Sequence, residues 1–286
     1  MKLKIDKILV PTDFSPLSLS ALHYAAALAR HSNAEIILYH VIETYMQNTF
    51  LEEIINIDRI IEDAVNKKME EIKSDNIDLW GIKITARIGK GKIYRQISDF
   101  QKTNNIDLII MGTHGWKDVD LKQKHILGSN AIRVVSGTTV PVITFRTPIE
   151  EVRLKKIVLP LDITKETDQK VLSAMKLARV FDAEIHLVSI STYFDELRFK
   201  SSYLKEQLNN IADKVKDVGI PVQIKMIRHE NVPKAIMDYS KEIDADLLMI
   251  MTQQEVSKSD FYNLGSSARK VIAESKVPVF SIRPER

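Results

Sequence analysis

Residues 108–130 read LIIMGTHGWKDVDLKQKHILGSN, and this stretch governs how the rest of the chain is interpreted. An apolar run is broken by Gly112 and Gly115, and a helical pattern follows Gly128-Ser129-Asn130. Short apolar runs bounded by glycine are typical of buried strands. Glycine lets the backbone approach a ligand closely, and the N–H groups at a helix start suit an anion. The stretch therefore indicates either a phosphate site at a strand end or a plain turn followed by a capped helix.

The chain ahead of this stretch alternates strand and helix patterns. Residues 7–13 are predicted to be the first strand, and Ser15 followed by proline has the chemistry of a helix start. Further strands are predicted over 34–42, 82–88, 107–111 and 141–146, with helices over 51–72, 93–102 and 130–135. This alternation predicts a mostly parallel sheet with helices on both faces. Ligands bind such sheets beyond the carboxyl ends of the strands, where Asp13, Val41 and Gly112 fall.

The long connection after the second strand is expected to be chiefly helical. Its helix is predicted to pack one apolar stripe on the sheet, formed by Ile54, Ile61, Val65 and Met69. The segment that precedes the helix, residues 43–50, is expected to be a mobile lid over the site.

The whole pattern begins again after a polar connector. Lys7-Ile-Leu-Val-Pro-Thr-Asp13 returns as Lys156-Ile-Val-Leu-Pro-Leu-Asp162. The match extends to residues 107–110 with 246–249 and residues 140–142 with 277–279. Self-similarity of this length indicates a duplicated domain. The sequence thus predicts an α/β chain with two tandem copies of a five-stranded, mostly parallel sheet, in domains 1–146 and 154–286.

The second copy departs from the first at the glycines. Met251 stands at the place of Gly112 and Gln254 at that of Gly115, whereas Gly265 survives at the start of the next helix. Side chains are therefore expected in the second copy where a ligand would need to meet the backbone. We predict one working site, in the first copy, and one degenerate site.

The last strands of the two copies, residues 141–146 and 278–283, are expected to pair with each other. As sheet edges they would expose unpaired N–H and C=O groups, and they carry no lysine that would blunt such an edge. An isologous contact would place them antiparallel, with Val142 and Phe145 near Val279 and Ile282. The chain should then be an intramolecular pseudo-dimer, which leaves open a homodimer through another surface.

Composition and charge exclude several classes of function. Of 286 residues, 44% are hydrophobic, and 41 basic against 38 acidic side chains give a net charge of +3. So balanced a charge gives no electrostatic reason to expect nucleic-acid or membrane binding. The absence of cysteine rules out disulfides, thiolate metal ligands and cysteine nucleophiles. No apolar run reaches about 18 residues, and the first residues lead directly into a strand, so a cytoplasmic protein is expected.

Neither a metal site nor a catalytic site is predicted. The seven histidines include no pair with the spacing of metal ligands on a helix, and neither G-x-S-x-G nor G-x-x-x-x-G-K-[ST] occurs. Gly89-Lys90-Gly91 is interpreted as the turn after the third strand, because no Ser or Thr follows Lys92. Asp13 could act as a general base, but no partner acid or nucleophile accompanies it. We therefore expect a protein that is not an enzyme.

Together these residues resemble the universal stress protein family in its tandem two-domain form, over essentially the whole chain. The motifs that carry the resemblance are Pro11-Thr12-Asp13-Phe14-Ser15, His40-Val41, Met111-Gly112-Thr113-His114-Gly115 and Gly128-Ser129-Asn130. The nucleotide-binding branch of that family carries G-x2-G-x9-G-[ST]. The resemblance implies an adenine nucleotide alpha hydrolase-like, Rossmann-like fold, and a site for ATP or AMP that Mg²⁺ would enter only with the nucleotide.

By the same resemblance, Asp13 would bind the adenosine end and Val41 would meet adenine through its backbone. The phosphates would be held by Gly112, Gly115, Gly128 and Ser129, with Asn130 adjacent and with Pro11, Thr12 and Met111 in the flanking motifs. Twelve residues, 116–127, separate Gly115 from Gly128 where the family pattern has nine. The extra residues must bulge outward or deform the site. The basic side chains Lys117, Lys122, Lys124 and His125 either add phosphate contacts or form a solvated loop.

Three functions remain open at the level of sequence. The first is a stress-response regulator that binds ATP or AMP and acts on unidentified protein partners. The second is a nucleotide-free interaction module of the same fold, in which the glycines are residual. The third is a weak ATP hydrolase.

Overall fold

The computed structural model describes residues 5–43, 57–76, 79, 81–115, 128–161, 167–192, 201–252 and 264–284. Within these ranges strands and helices alternate as predicted. The first half contains β1 (Lys7–Pro11), α1 (Pro16–Ser32), β2 (Glu35–Ile42), α2 (Ile57–Asp75), β3 (Ile84–Lys90), α3 (Ile93–Thr103), β4 (Leu108–Gly112), α4 (Ser129–Gly137) and β5 (Val142–Phe145). The second half contains β6 (Lys156–Pro160), α5 (Thr167–Phe181), β7 (Glu184–Ser191), α6 (Ser201–Lys216), β8 (Val222–Arg228), α7 (Val232–Glu242), β9 (Leu247–Met251), α8 (Ser266–Glu274) and β10 (Val279–Ile282).

The ten strands form one sheet in the order β3-β2-β1-β4-β5-β10-β9-β6-β7-β8. Every pairing within a half is parallel, and the halves meet where β5 and β10 pair antiparallel. Ile143 lies opposite Phe280, and Val142 lies opposite Ser281. The predicted duplication and the antiparallel pairing of the last strands are therefore both confirmed. Each half covers the edge strand of the other, so neither β5 nor β10 is left with an open edge.

Side chains alternate between two faces along each strand, and each face has its own core. On β4, Leu108 and Ile110 belong to the core covered by α1 and α2, whereas Ile109 and Met111 belong to the core covered by α3 and α4. Both cores continue into the second half, where Ile157 joins the first of them. The hydrophobic layers therefore cross the boundary between the repeats.

Helix α1 begins where the sequence predicts. The Ser15 side chain accepts a hydrogen bond from the N–H of Ser18, and Pro16 opens the helix. The helix ends at Asn33, whose left-handed conformation directs its N–H to the carbonyl of Ala29. Its buried face contains several alanines, which let the helix axis lie close to β4.

Some predicted boundaries are wrong by one or two residues. The first strand ends at Pro11 because the N–H of Phe14 donates to Thr12 Oγ1 (3.0 Å) and the N–H of Ser15 donates to Asp13 Oδ1 (3.1 Å). These side chains replace the strand ladder with a turn. The third strand runs from 84 to 90 rather than from 82 to 88, and α4 begins at Ser129.

Helix α2 packs a narrower stripe than predicted. Val65 and Met69 are buried as expected, but Ile61 is 38% exposed, so its assignment to the packed stripe is wrong. Ile54 and the proposed lid residues 44–50 lie outside the described residues. No helix in the described part of the chain is long and apolar enough to cross a membrane.

Candidate functional site

A cavity of about 670 Å³ lies at the carboxyl edge of the strands in the first half. The ends of β1, β2 and β4 line it, together with the first turns of α3 and α4. This is the edge at which parallel α/β sheets bind ligands. The residues predicted from sequence are all found in its lining, namely Pro11, Thr12, Asp13, Val41, Met111, Gly112, Gly115, Gly128, Ser129 and Asn130. The fold therefore gathers ten residues from four separate segments of the chain around one space.

Gly115 and Asp13 are brought into close contact across this cavity. A Cβ atom placed on Gly115 would lie 2.5 Å from Asp13 Oδ2, which is closer than real Cβ atoms approach a neighbour. The other oxygen of the carboxylate, Oδ1, accepts the N–H of Ser15. Position 115 thus requires glycine as long as Asp13 keeps this orientation.

At Gly112 a different neighbour excludes a side chain. A Cβ atom there would lie 2.6 Å from Cγ and Cδ2 of Leu17 in α1, on the face of the sheet opposite α3 and α4. The interpretation that a side chain at this position would enter the ligand space is therefore wrong. Met251, its counterpart in the second repeat, is buried in the core on the α1 and α5 face. The backbone of Gly112 still lines the cavity.

The segment between the glycines is closed by one backbone hydrogen bond. The N–H of Gly128 donates to the carbonyl of Thr113 over 3.0 Å, and the equivalent N–H of Gly265 donates to Thr252 over 3.2 Å. The same bond closes both repeats although the first segment is longer. The additional length therefore does not separate Gly128 from the end of β4. Residues 116–127, with Lys117, Lys122, Lys124 and His125, lie outside the described residues, as do Gln254 and Asp162 of the second repeat.

Helix α4 begins at the cavity with a residue that has no side chain. Gly128 is the N-cap, and Gly128, Ser129 and Asn130 all line the cavity. The N–H groups in the first turn of any helix have no partner within that helix. A glycine cap leaves them accessible to a ligand, and the positive end of the helix dipole favours an anion there.

His40 fixes the turn that carries Asp13. Its Nδ1 lies 2.8 Å from the carbonyl oxygen of Thr12, which can only accept, so Nδ1 carries the proton. The imidazole also stacks on Phe14, with ring centres 4.7 Å apart and 15° between the planes. Burial lowers the pKa of His40, opposed by the hydrogen bond to Thr12 and by the charge of Asp13. Phe14 itself has a left-handed backbone with φ of 64°, which these contacts hold in place.

Several cavity residues were missed by the sequence analysis, notably Tyr39, Glu43, Lys92, Ile93, Tyr94 and Arg133. Two features of the sequence could have identified Lys92 and Arg133. Lys92 follows β3, so the rule that sites lie at carboxyl ends of strands also applies to it. Arg133 lies four residues after Ser129 and therefore on the same face of α4.

Of the predicted turn at Gly89-Lys90-Gly91, only Gly91 lies in a turn, because Gly89 and Lys90 are the last residues of β3. Gly91 has a positive φ of 125°, and its N–H donates to the carbonyl of Ile42. Gly89 lies against the phenol group of Tyr39, leaving no room for a side chain. The Tyr39 hydroxyl donates to Gln96 at 3.3 Å, which ties β2 to α3 beneath the cavity.

Metal binding finds no support in the described residues. In the parts of the chain that the structure describes, no three His, Asp or Glu side chains are grouped so that they could hold a metal ion. The expectations that the protein has no metal site of its own and no catalytic residues remain predictions.

The repeated sheet and its edge cavity define an α/β protein of the Rossmann-like, adenine nucleotide alpha hydrolase-like class. The profile of the universal stress protein family matches residues 4–146 and 153–283. The chain therefore belongs to the universal stress protein family, in its tandem form.

The relatives agree with this assignment. Two universal stress proteins of Methanocaldococcus jannaschii are 28% and 31% identical over 152 and 163 aligned residues. Each alignment covers 51% of this chain, with 84% of the first relative and 98% of the second. The crystal structure of a universal stress protein from Archaeoglobus fulgidus superimposes with a TM-score of 0.76 at 22% identity, covering 98% of this chain and 99% of the other. At that identity the likeness shows the fold alone.

Proposed function

We propose that this universal stress protein is a regulatory protein that binds an adenine nucleotide, ATP or AMP, in its first repeat. The observation that carries the proposal is the convergence of ten motif residues on one cavity of about 670 Å³. A cavity of this size falls within the usual range of roughly 300–1,000 Å³ for small-molecule sites. The second repeat would serve as the structural partner that closes the sheet.

The residues present suit a nucleotide. Asp13 presents a carboxylate, which accepts hydrogen bonds from ribose hydroxyls or an exocyclic amine. Gly115 leaves the space above that carboxylate open, because any Cβ atom would occupy it. The glycine-capped start of α4 would hold the phosphates through Gly128 and Ser129, with Asn130 adjacent. Pro11, Thr12, Val41, Met111 and Gly112 would complete the lining, and Mg²⁺ would accompany the nucleotide.

Only one nucleotide per chain is expected. In the second repeat, Gln254 replaces Gly115, while the closing bond between Gly265 and Thr252 is kept. The second repeat therefore lacks the glycine that, in the first, leaves room beside the Asp13 carboxylate. The expected stoichiometry in calorimetry is one.

The test begins with the purified full-length chain. Heat denaturation should release a compound with adenine absorbance, and calorimetry of nucleotide-free protein should show ATP or AMP binding. The variant Asp13→Asn keeps an oxygen that can accept the Ser15 N–H, so it should fold normally while binding more weakly by about tenfold or more, because a charge-assisted hydrogen bond is lost.

If no adenine compound is released and neither ATP nor AMP binds, the nucleotide proposal is overturned and the interaction module is favoured. Phosphate release at saturating ATP and Mg²⁺ would instead point to the hydrolase. Binding that Asp13→Asn does not weaken would place the nucleotide elsewhere on the protein.

A further inference from the structure

Three cationic side chains surround Tyr94 on one wall of the cavity. The Arg133 guanidinium lies 4.8 Å from the centre of the Tyr94 ring, and that of Arg95 lies 5.9 Å from it. The Arg95 Nε–H also donates to the phenol oxygen over 3.2 Å. This hydrogen bond, and then the charges of Arg95, Arg133 and Lys92, hold the pKa of Tyr94 below its usual value despite some burial. Lys92, Tyr94 and Arg133 all line the cavity.

In the part of the chain that the structure describes, two of these cations have no carboxylate partner. Within the described residues, neither Lys92 nor Arg133 forms an ion pair, although the cavity also contains Asp13 and Glu43. Lys90, only two residues before Lys92, shows the usual behaviour of a surface cation, since it pairs with Asp58 at 2.9 Å and Glu62 at 2.5 Å. Like charges that lie close together repel one another, and a bound anion relieves that repulsion.

The arrangement is absent from the second repeat. When α3 is aligned with α7, Asn231 stands at the place of Lys92 and Pro233 at that of Tyr94. The same repeat has Gln254 in place of Gly115, although Lys270 and Gly265 keep a cation and a glycine at the positions of Arg133 and Gly128. The Lys92 cation, the Tyr94 ring and the glycine beside Asp13 thus occur together in the first repeat and are replaced together in the second.

We propose that Lys92, Tyr94 and Arg133 form an anion-recognition wall that makes the cavity selective for phosphorylated over unphosphorylated ligands. The inference rests on the proposed function and adds a specificity element to it. Backbone N–H groups at the start of α4 supply directed hydrogen bonds, whereas Lys92 and Arg133 supply net charge. Tyr94 holds the Arg133 guanidinium in place through its ring, which limits the freedom that the side chain loses when an anion binds.

The decisive variant is Lys92→Met combined with Arg133→Met. Methionine keeps an apolar stem of similar length while it removes the charge, so the packing against Tyr94 is largely retained. Both residues are exposed, so folding should be unaffected. At low ionic strength AMP affinity should fall by about three- to tenfold, as expected for two solvent-accessible charge contacts, and the loss should shrink at high salt. Adenosine affinity should stay the same.

The second repeat offers a matched control. Lys234 stands on α7 at the place of Arg95, and Lys270 stands on α8 at the place of Arg133. The variant Lys234→Met with Lys270→Met removes the same amount of positive charge, two units, from the corresponding helices of the second repeat. Its affinity for AMP should equal that of the unmodified chain, which separates a local contact from a change in net charge.

Inorganic pyrophosphate serves as a probe that lacks the base. If the unmodified chain binds pyrophosphate and the Lys92→Met, Arg133→Met variant does not, the anion-recognition wall is supported. That conclusion holds even if adenosine and AMP do not bind and the adenine-nucleotide proposal is overturned. If AMP binds both chains equally while Asp13→Asn weakens it, the wall is overturned and the proposed function stands. If the unmodified chain binds neither AMP nor pyrophosphate, both are overturned.

Discussion

Gly115 and Asp13 lie so close that a single added methyl group would collide, since a Cβ on Gly115 would fall 2.5 Å from Asp13 Oδ2. The two residues follow different strands, β4 and β1, which are neighbours in the sheet. Their contact therefore depends on the crossover topology and links the two motifs on which the site is built.

Gly115→Ala should weaken nucleotide binding without unfolding the protein. The new methyl group displaces the Asp13 carboxylate from its position, and about tenfold loss of affinity follows if that carboxylate binds the nucleoside end. Calorimetry measures the effect. Gly265→Ala is the control, because its Cβ would lie 3.7 Å from the Thr252 carbonyl, an ordinary contact. If Gly115→Ala and Gly265→Ala bind the nucleotide with equal affinity, Asp13 does not contact the ligand.

Gly112→Met should act first on stability and only indirectly on binding. Its Cβ would meet Leu17 at 2.6 Å, and such overpacking typically costs about 1–3 kcal/mol. Denaturant unfolding should show the loss, and the smaller change Gly112→Ala should be partly rescued by Leu17→Ala. A Gly112→Met protein with unchanged stability and abolished binding would instead support the original interpretation that the side chain fills the ligand space.

His40 should make the protein less stable as the pH falls below about 6.5, the ordinary pKa of histidine. Burial lowers the pKa of His40 in the folded state. The unfolded chain therefore takes up a proton first, and the folded state loses stability between about 6.5 and the lower folded value, whereas above about 6.5 the residue adds no pH dependence. His40→Asn keeps an N–H for the Thr12 carbonyl but cannot titrate. The free energy of unfolding of this variant should change less with pH over that range. If it changes with pH as much as that of the unmodified chain, His40 is not the group responsible.

Cutting the chain between Thr147 and Val152 should leave two halves that remain together. The β5–β10 pairing and both cores cross the boundary, and the connector is further attached where the N–H of Ile149 donates to Ser20 Oγ. Size-exclusion chromatography at micromolar concentration should show one complex. Separate, folded, monomeric halves would refute the pseudo-dimer.

The sequence by itself determined the duplication, the order of the elements and ten of the residues that line the cavity. These follow from local pattern, because strand and helix periods, caps and glycine breaks are encoded within a few residues of one another. The rule that parallel sheets bind ligands at their carboxyl edge then sufficed to group Asp13, Val41 and Gly112. The antiparallel pairing of the last strands was also predictable, since an unprotected apolar edge needs a partner.

Only the tertiary structure decided what each residue meets. Gly112 and Gly115 both belong to the glycine motif, yet one accommodates Leu17 and the other accommodates Asp13. Gly112 ends β4 on the face covered by α1, whereas Gly115 lies three residues beyond the strand, next to the turn that follows β1. The proposed anion-recognition wall of Lys92, Tyr94 and Arg133 likewise combines residues at the starts of α3 and α4 that share no motif. Such contacts arise between segments far apart in the chain, and periodicity carries no information about them.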